Sequence, residues 1–139
     1  VLLLHAGHND DVTRRPAAEI VAAATNAHAR IIAAARSRNP RVIVLYAQVI
    51  TSGKLPKYGY IPDLNKGIAA LGAALSTDAS PVITVDMAKA WDWRTDTVAD
   101  KVHPSAAGAA KMAEKWFAAL QKLVTAGRLD VRSAAASGP

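Results

Sequence analysis

The 139-residue chain contains no cysteine, which removes disulfides and thiolate metal sites from consideration and leaves the compartment open. No apolar run approaches the roughly 18–20 residues of a membrane-spanning helix. No charged segment precedes an apolar stretch at the start, so no secretory-signal pattern is visible. Aromatic residues make up only 5% of the chain. Seventeen Lys and Arg stand against eleven Asp and Glu, a formal charge of +6 that would suit an anionic partner. Yet Arg14, Arg15, Arg30, Arg36, Arg38, Arg41, Lys54, Lys57, Lys66 and Lys111 are dispersed along the sequence. No aromatic platform interleaves them, which argues against a nucleic-acid-binding face.

What is present is one domain's worth of alternating elements. Hydrophobic residues make up 51% of the chain, many of them alanine, enough for a single core. Val1–Leu4 is a continuous apolar run, the pattern of a parallel strand buried on both faces. The chain opens inside that strand pattern, and the expectation is that further material precedes it. Thr13 is a candidate N-cap, with Pro16 in the first turn. Ile20, Ala24, Ala27, Ile31 and Ala35 form an apolar stripe, so a helix is expected over about 14–37, ended by Asn39-Pro40. Residues 41–50 read as a second buried strand, followed by a loop to Tyr60. Pro62 opens a helix with Leu64, Ile68, Leu71 and Leu75 on one face. Residues 82–86 are a third strand, and 87–102 a loop carrying Trp91 and Trp93. Pro104 or Ser105 begins a last helix with a Met112, Trp116, Leu120 and Leu123 core stripe. From 125 to 139 the composition turns to Ala, Ser, Gly and Arg, which predicts a loosely packed or disordered tail. The alternation predicts an α/β fold, a parallel sheet with helices on both faces.

Two polar clusters stand at what would be the carboxyl ends of these strands, where open α/β sheets bind ligands. The first is Gly7-His8-Asn9-Asp10, which as a plain loop would serve to cap the next helix. The second is Asp100-Lys101-Val102-His103-Pro104. An Asp three residues before a His can hold imidazole Nδ1 and leave Nε2 free as a general base. His5, His8, Asp10, Asp11, Asp100 and His103 could also supply metal ligands if three or four converged. Trp91, Trp93, Tyr58 and Tyr60 are either packed or offered to a sugar ring.

Gly7-x-Asn9-Asp10 at a strand end, followed about ninety residues later by Asp100-x-x-His103-Pro104 before the final helix, resembles the SGNH (GDSL-like) hydrolase family. The strand ending Ala47-Gln48-Val49-Ile50 is similar to that family's fourth strand. Val85-Asp86-Met87 and the run from His103 to Ala113 are similar to its secreted microbial carbohydrate-esterase branch. The resemblance covers about residues 1–124, as a C-terminal portion of such a domain. It implies a three-layer α/β/α, flavodoxin-like fold lacking its first two strand–helix units, roughly 60 residues at about 30 each.

The resemblance implies a secreted serine ester hydrolase that needs no cofactor and no metal. Its substrate would be an acyl ester, with acetylated carbohydrate the class suggested. By position, His103 would be the general base and Asp100 its orienting carboxylate. Asn9 would donate to the oxyanion hole, Gly7 would keep the turn open, and Asp10 would brace the loop. His8 stands where the family usually has a small polar residue, which leaves it either a tolerated variant or a substrate contact.

The family's Gly-Asp-Ser block is absent. None of Ser37, Ser52, Ser76, Ser80, Ser105, Ser133 and Ser137 has its context, and Ser105 reads as a helix cap. The nucleophile is therefore expected from a segment outside this chain, or else the protein is an inactive remnant that binds saccharide or a partner protein. Without a neighbouring strand, Val1–Leu4 would be an apolar edge, expected to pair with the missing segment or to self-associate.

Overall fold

The computed structural model describes residues 1–129. Three parallel strands, β1 (Leu2–Leu4), β2 (Val44–Ala47) and β3 (Val82–Val85), form a sheet in the order β1-β2-β3. Leu3 pairs with Leu45, which in turn pairs with Ile83. The helices are α1 (Ala17–Arg38), α2 (Ile61–Leu75), the single turn α3 (Trp93–Asp96) and α4 (Ala106–Thr125).

Alternation along β2 divides the core. Val44 and Tyr46 face α1 and α2, packing with Ile20, Ile32, Ile61, Leu64 and Ile68. Leu45 and Ala47 face α4, packing with Val85, Met87 and Leu123. A strand sandwiched this way needs apolar side chains on both faces, which is why β2 reads as an unbroken run. The result is the expected α/β/α three-layer arrangement with a parallel sheet.

Several boundaries differ from expectation. The second strand is four residues long, not ten, because its flanks are served by other partners. The amide of Asn65 takes both backbone groups of Val49, accepting from its N–H at 2.7 Å and donating to its carbonyl at 2.8 Å. Before the strand, the Ser80 hydroxyl donates to the carbonyl of Val42 at 2.6 Å.

Thr13 does not cap α1. Its N–H and hydroxyl both donate to Asp11 Oδ1, at 2.9 and 2.7 Å, an Asx-type turn that delays the helix to Ala17. Pro16 occupies the cap position without a side-chain bond. The buried face of α1 is also rotated from the predicted stripe. His28 and Ile32 enter the core with Ile20, whereas Ile31 is 41% exposed and lines a groove with Ala6, Gly7 and Asn9. The third strand stops at Val85, one residue early, and the expected 87–102 loop contains the turn α3.

Ser105 caps α4 as read, accepting the N–H of Gly108 at 3.2 Å. Leu123 is buried, with Met112, Trp116 and Leu120 packed partly buried around it. After α4, Arg128 N–H donates to Leu123 O at 2.9 Å and Leu129 packs on the α4-side core. Most of the 125–139 tail, residues 130–139, lies outside the described residues. β1 is a sheet edge, with Leu3 46% exposed.

Candidate active site

The loops leaving β1, β2 and β3 all emerge at the carboxyl edge of the sheet, and they carry both polar clusters. Gly7 adopts φ +109, a conformation that L side chains rarely take. A Cβ there would also stand 2.8 Å from Leu64 Cδ2. The fully buried Tyr60 staples this turn. Its hydroxyl donates to Gly7 O at 2.8 Å and accepts the N–H of Asp10 at 3.1 Å. Burial pushes the Tyr60 phenol up, so it remains a proton donor. Asp10 Oδ1 accepts the N–H of Asp11 at 3.1 Å and Oδ2 lies 3.7 Å from Arg15. Asn9 is exposed at the tip of the turn. It borders a groove of about 370 Å³ that runs along α1 past Ala27, His28 and Ile31.

His8 stacks on Tyr58, with ring centroids 4.8 Å apart. Its Nε2 is buried without a hydrogen-bond partner among the described residues. Desolvation foremost, and then the charges of His5, His103 and Lys57, hold its pKa below the usual imidazole value.

The second cluster is a closed loop. Thr97 and Pro104 form an antiparallel bridge, and Val98 N–H donates to His103 O at 2.9 Å. At its tip Asp100 Oδ2 lies 2.5 Å from His103 Nδ1. Asp100 Oδ1 accepts the N–H groups of Val102 and His103 at 2.8 and 3.0 Å. The contact with His103 and then these N–H groups hold the Asp100 carboxyl at about 2. The His103 side chain is 77% exposed and that of Asp100 42%. The loop's base is fixed by Asp96, whose buried carboxylate accepts from Lys111 Nζ at 2.8 Å and from the N–H of Asp92 at 2.9 Å.

The model of the GDSL-like Lipase/Acylhydrolase family matches residues 1–111. The chain belongs to that family. Among solved structures, a carbohydrate esterase family 3 protein from Talaromyces cellulolyticus is similar at 23% identity and TM-score 0.71, over 88% of this chain and 56% of its own. An acetyl esterase mutant with acetate ion is similar at 23% identity and TM-score 0.68, over 82% of this chain and 53% of its own. These likenesses establish the fold, and this chain spans little more than half the length of either protein. No curated protein matches it.

Within this GDSL-like chain, no described serine hydrogen-bonds to His103. Ser52 donates to Lys101 O, Ser80 to Val42 O and Ser37 to Ala34 O. Ser76 accepts from Val82 N–H, and Ser105 caps α4. Ser133 and Ser137 lie outside the described residues. No group of three or more His, Asp or Glu suited to a metal ion occurs among the described residues; Asp10, Asp11 and Asp100 are engaged by Arg15, Thr13 and His103.

Trp91 and Trp93 are packed rather than open platforms. Trp91 Nε1 donates to Thr51 O at 2.9 Å, and the Trp93 ring lies on Gly53, where a Cβ would come within 2.3 Å. Sequence reasoning left Tyr60 ambiguous and did not single out Asp96. Their partners lie too far along the chain for any periodic signal. A second trough, about 590 Å³ between β3 and α4, shares no residue with the loops of Asn9 and His103.

Proposed function

We propose that this chain carries the acid–base and oxyanion parts of a serine ester hydrolase of the GDSL type. The substrate is an acyl ester, with acetylated carbohydrate as its class, and the nucleophilic serine comes from a segment outside these 139 residues. The observation that carries the reading is the Asp100–His103 contact of 2.5 Å in a family of acylhydrolases. That the two similar structures are a carbohydrate esterase and an acetyl esterase supports the substrate class.

In this reading Asp100 fixes the tautomer with a proton on Nδ1, leaving the Nε2 lone pair to accept the serine proton. The serine oxygen attacks the ester carbon, and charge moves onto the carbonyl oxygen. The side-chain amide of Asn9 donates to that oxygen, a contribution of about 3–4 kcal/mol for a well-aimed donor. His103 then returns the proton to the leaving alcohol. Water, deprotonated by the same Nε2, releases the acid from the acyl-enzyme. Secretion belongs to the same reading.

The test is intact mass of the purified protein together with hydrolysis of a short-chain aryl ester, before and after a serine-reactive phosphonate. The reading expects a polypeptide or segment beyond these residues that takes up phosphonate, with activity lost in His103→Ala. A mass equal to this chain alone, with no adduct and no hydrolysis, overturns it in favour of an inactive binding remnant.

A further inference from the structure

Ser52 is a buried hydroxyl, 6% exposed, that the acyl-transfer reading leaves unused. Its Oγ donates to Lys101 O at 2.7 Å and accepts the N–H of Lys54 at 3.1 Å. Gly53 N–H donates to the same Lys101 carbonyl at 3.0 Å, so both lone pairs of that oxygen are taken. Lys101 stands between Asp100 and His103 and takes φ 61, a left-handed conformation uncommon outside glycine. Its own N–H donates to Val98 O at 3.0 Å. The His103 side chain is largely exposed and gains little from packing. Its aim is therefore set by the backbone that Ser52 and Gly53 grip.

Six residues after Ser52, the same loop grips the other cluster. The buried ring of Tyr58 stacks on His8, which directly precedes Asn9. Lys57 O accepts the N–H of Val12 at 3.1 Å, just beyond Asp10 and Asp11. Between the two grips the chain is bonded to itself. Tyr58 N–H donates to Lys54 O at 3.4 Å and Gly59 N–H to Pro56 O at 2.9 Å. A loop closed by its own hydrogen bonds passes a displacement from one end to the other instead of absorbing it. Among the described residues, no hydrogen bond joins the Asn9 turn directly to the loop of Asp100 and His103. Residues 52–58 are thus the physical link between them.

We propose that Ser52 and Tyr58 are positioning residues, which register Asn9 against His103 through the loop 52–58. In the esterase reading, on which this purpose rests, one group serves the carbonyl oxygen and the other the attacking serine. Their separation must then be fixed, because misplacement by about 1 Å can cost about 10²-fold in rate. The coupling itself is testable without hydrolysis.

The experiment is NMR of this chain, following the Asn9 side-chain amide and the His103 ring nitrogens in Ser52→Ala, Tyr58→Leu and Tyr58→Phe. Ser52→Ala is expected to shift Asn9, although Ser52 bonds only to the other cluster's loop and to Lys54. Tyr58→Leu is expected to shift His103, and Tyr58→Phe, which keeps the ring, to restore it. Unchanged β2 amides show that the variants fold. In the protein that carries the serine, Ser52→Ala and Tyr58→Leu should each lower kcat about tenfold with KM within about twofold. The double variant should lose no more than about tenfold, because both changes open one link. Shifts confined to the cluster each residue touches, or losses that multiply in the double variant, overturn the proposal. Coupled shifts in a protein that shows no ester hydrolysis overturn only the esterase reading.

Discussion

Tyr60→Phe isolates the staple that shapes the Asn9 turn. The substitution keeps the buried ring and removes one oxygen, so apolar burial is conserved. That oxygen makes two hydrogen bonds, to Gly7 O at 2.8 Å and from Asp10 N–H at 3.1 Å. Each intramolecular hydrogen bond contributes about 1 kcal/mol net, and a buried group left without its partner costs about 1–3 kcal/mol. Both stranded backbone groups are only part-buried, so water can reach them in some measure. The expected loss is about 1.5–3 kcal/mol, which at a urea m value of about 1.5 kcal/mol/M lowers the midpoint by about 1–2 M. The assay is equilibrium urea unfolding followed by tryptophan fluorescence, paired with amide exchange of Asp10. Exchange at Asp10 should accelerate while β2 stays protected, because the change is local. A loss below about 0.5 kcal/mol, within the range of ordinary surface substitutions, would refute the assignment of Tyr60 as the staple.

Gly7→Ala should destabilise by about 1–3 kcal/mol, since φ +109 and a contact of 2.8 Å to Leu64 Cδ2 both oppose a Cβ; unchanged thermal unfolding would count against that backbone. Stability should fall as pH drops below the usual imidazole value near 6.5. Burial holds His28 below that value, so over this window the unfolded chain binds more protons. His5 and His8 shift in the same direction. Urea unfolding at several pH values checks this, and a flat or rising profile towards acid would refute it. Asp100 stays ionised down to about 2, so its stabilising share is present above the unfolded carboxylate range and is lost only as pH falls through that value. Among the described residues the outer side of β1 has no strand partner, and we expect this chain to associate with rising concentration by light scattering, abolished by Leu3→Lys; a monomer at every concentration refutes self-pairing at that edge.

The legible part of this fold was what repeats. Apolar runs marked the three strands, helical spacing marked α1, α2 and α4, and the Ser105 cap was local enough to read from its neighbours. The strand limits were not legible, because the ladder at Val49 is replaced by the side chain of Asn65, sixteen residues away. The exposure of Ile31 was hidden for a similar reason. Periodicity tells that α1 has an apolar face, but not which part of that face finds a neighbour. The Asp100–His103 contact could be read from spacing alone, whereas Tyr60 had to cross 53 residues to reach Gly7.

The two halves of the candidate site are braced by separate means. The Asn9 turn hangs on Tyr60 from α2's entrance, with no direct hydrogen bond to the second cluster among the described residues. The dyad loop closes on itself through the Thr97–Pro104 bridge and is anchored by Asp96 to Lys111 of α4. At its base, Ser105 N–H donates to Asp96 O at 2.8 Å, and Gly108 passes so close to that carbonyl that a Cβ would come within 2.0 Å. Neither brace uses a serine nucleophile or a substrate. Preorganisation of donors and base ahead of the reacting groups is where much of the rate advantage of acyl transfer arises. Under the hydrolase reading proposed above, such preorganisation would come from the strand exits, where the Asp100–His103 contact is held by the Thr97–Pro104 bridge and the Asp96–Lys111 anchor.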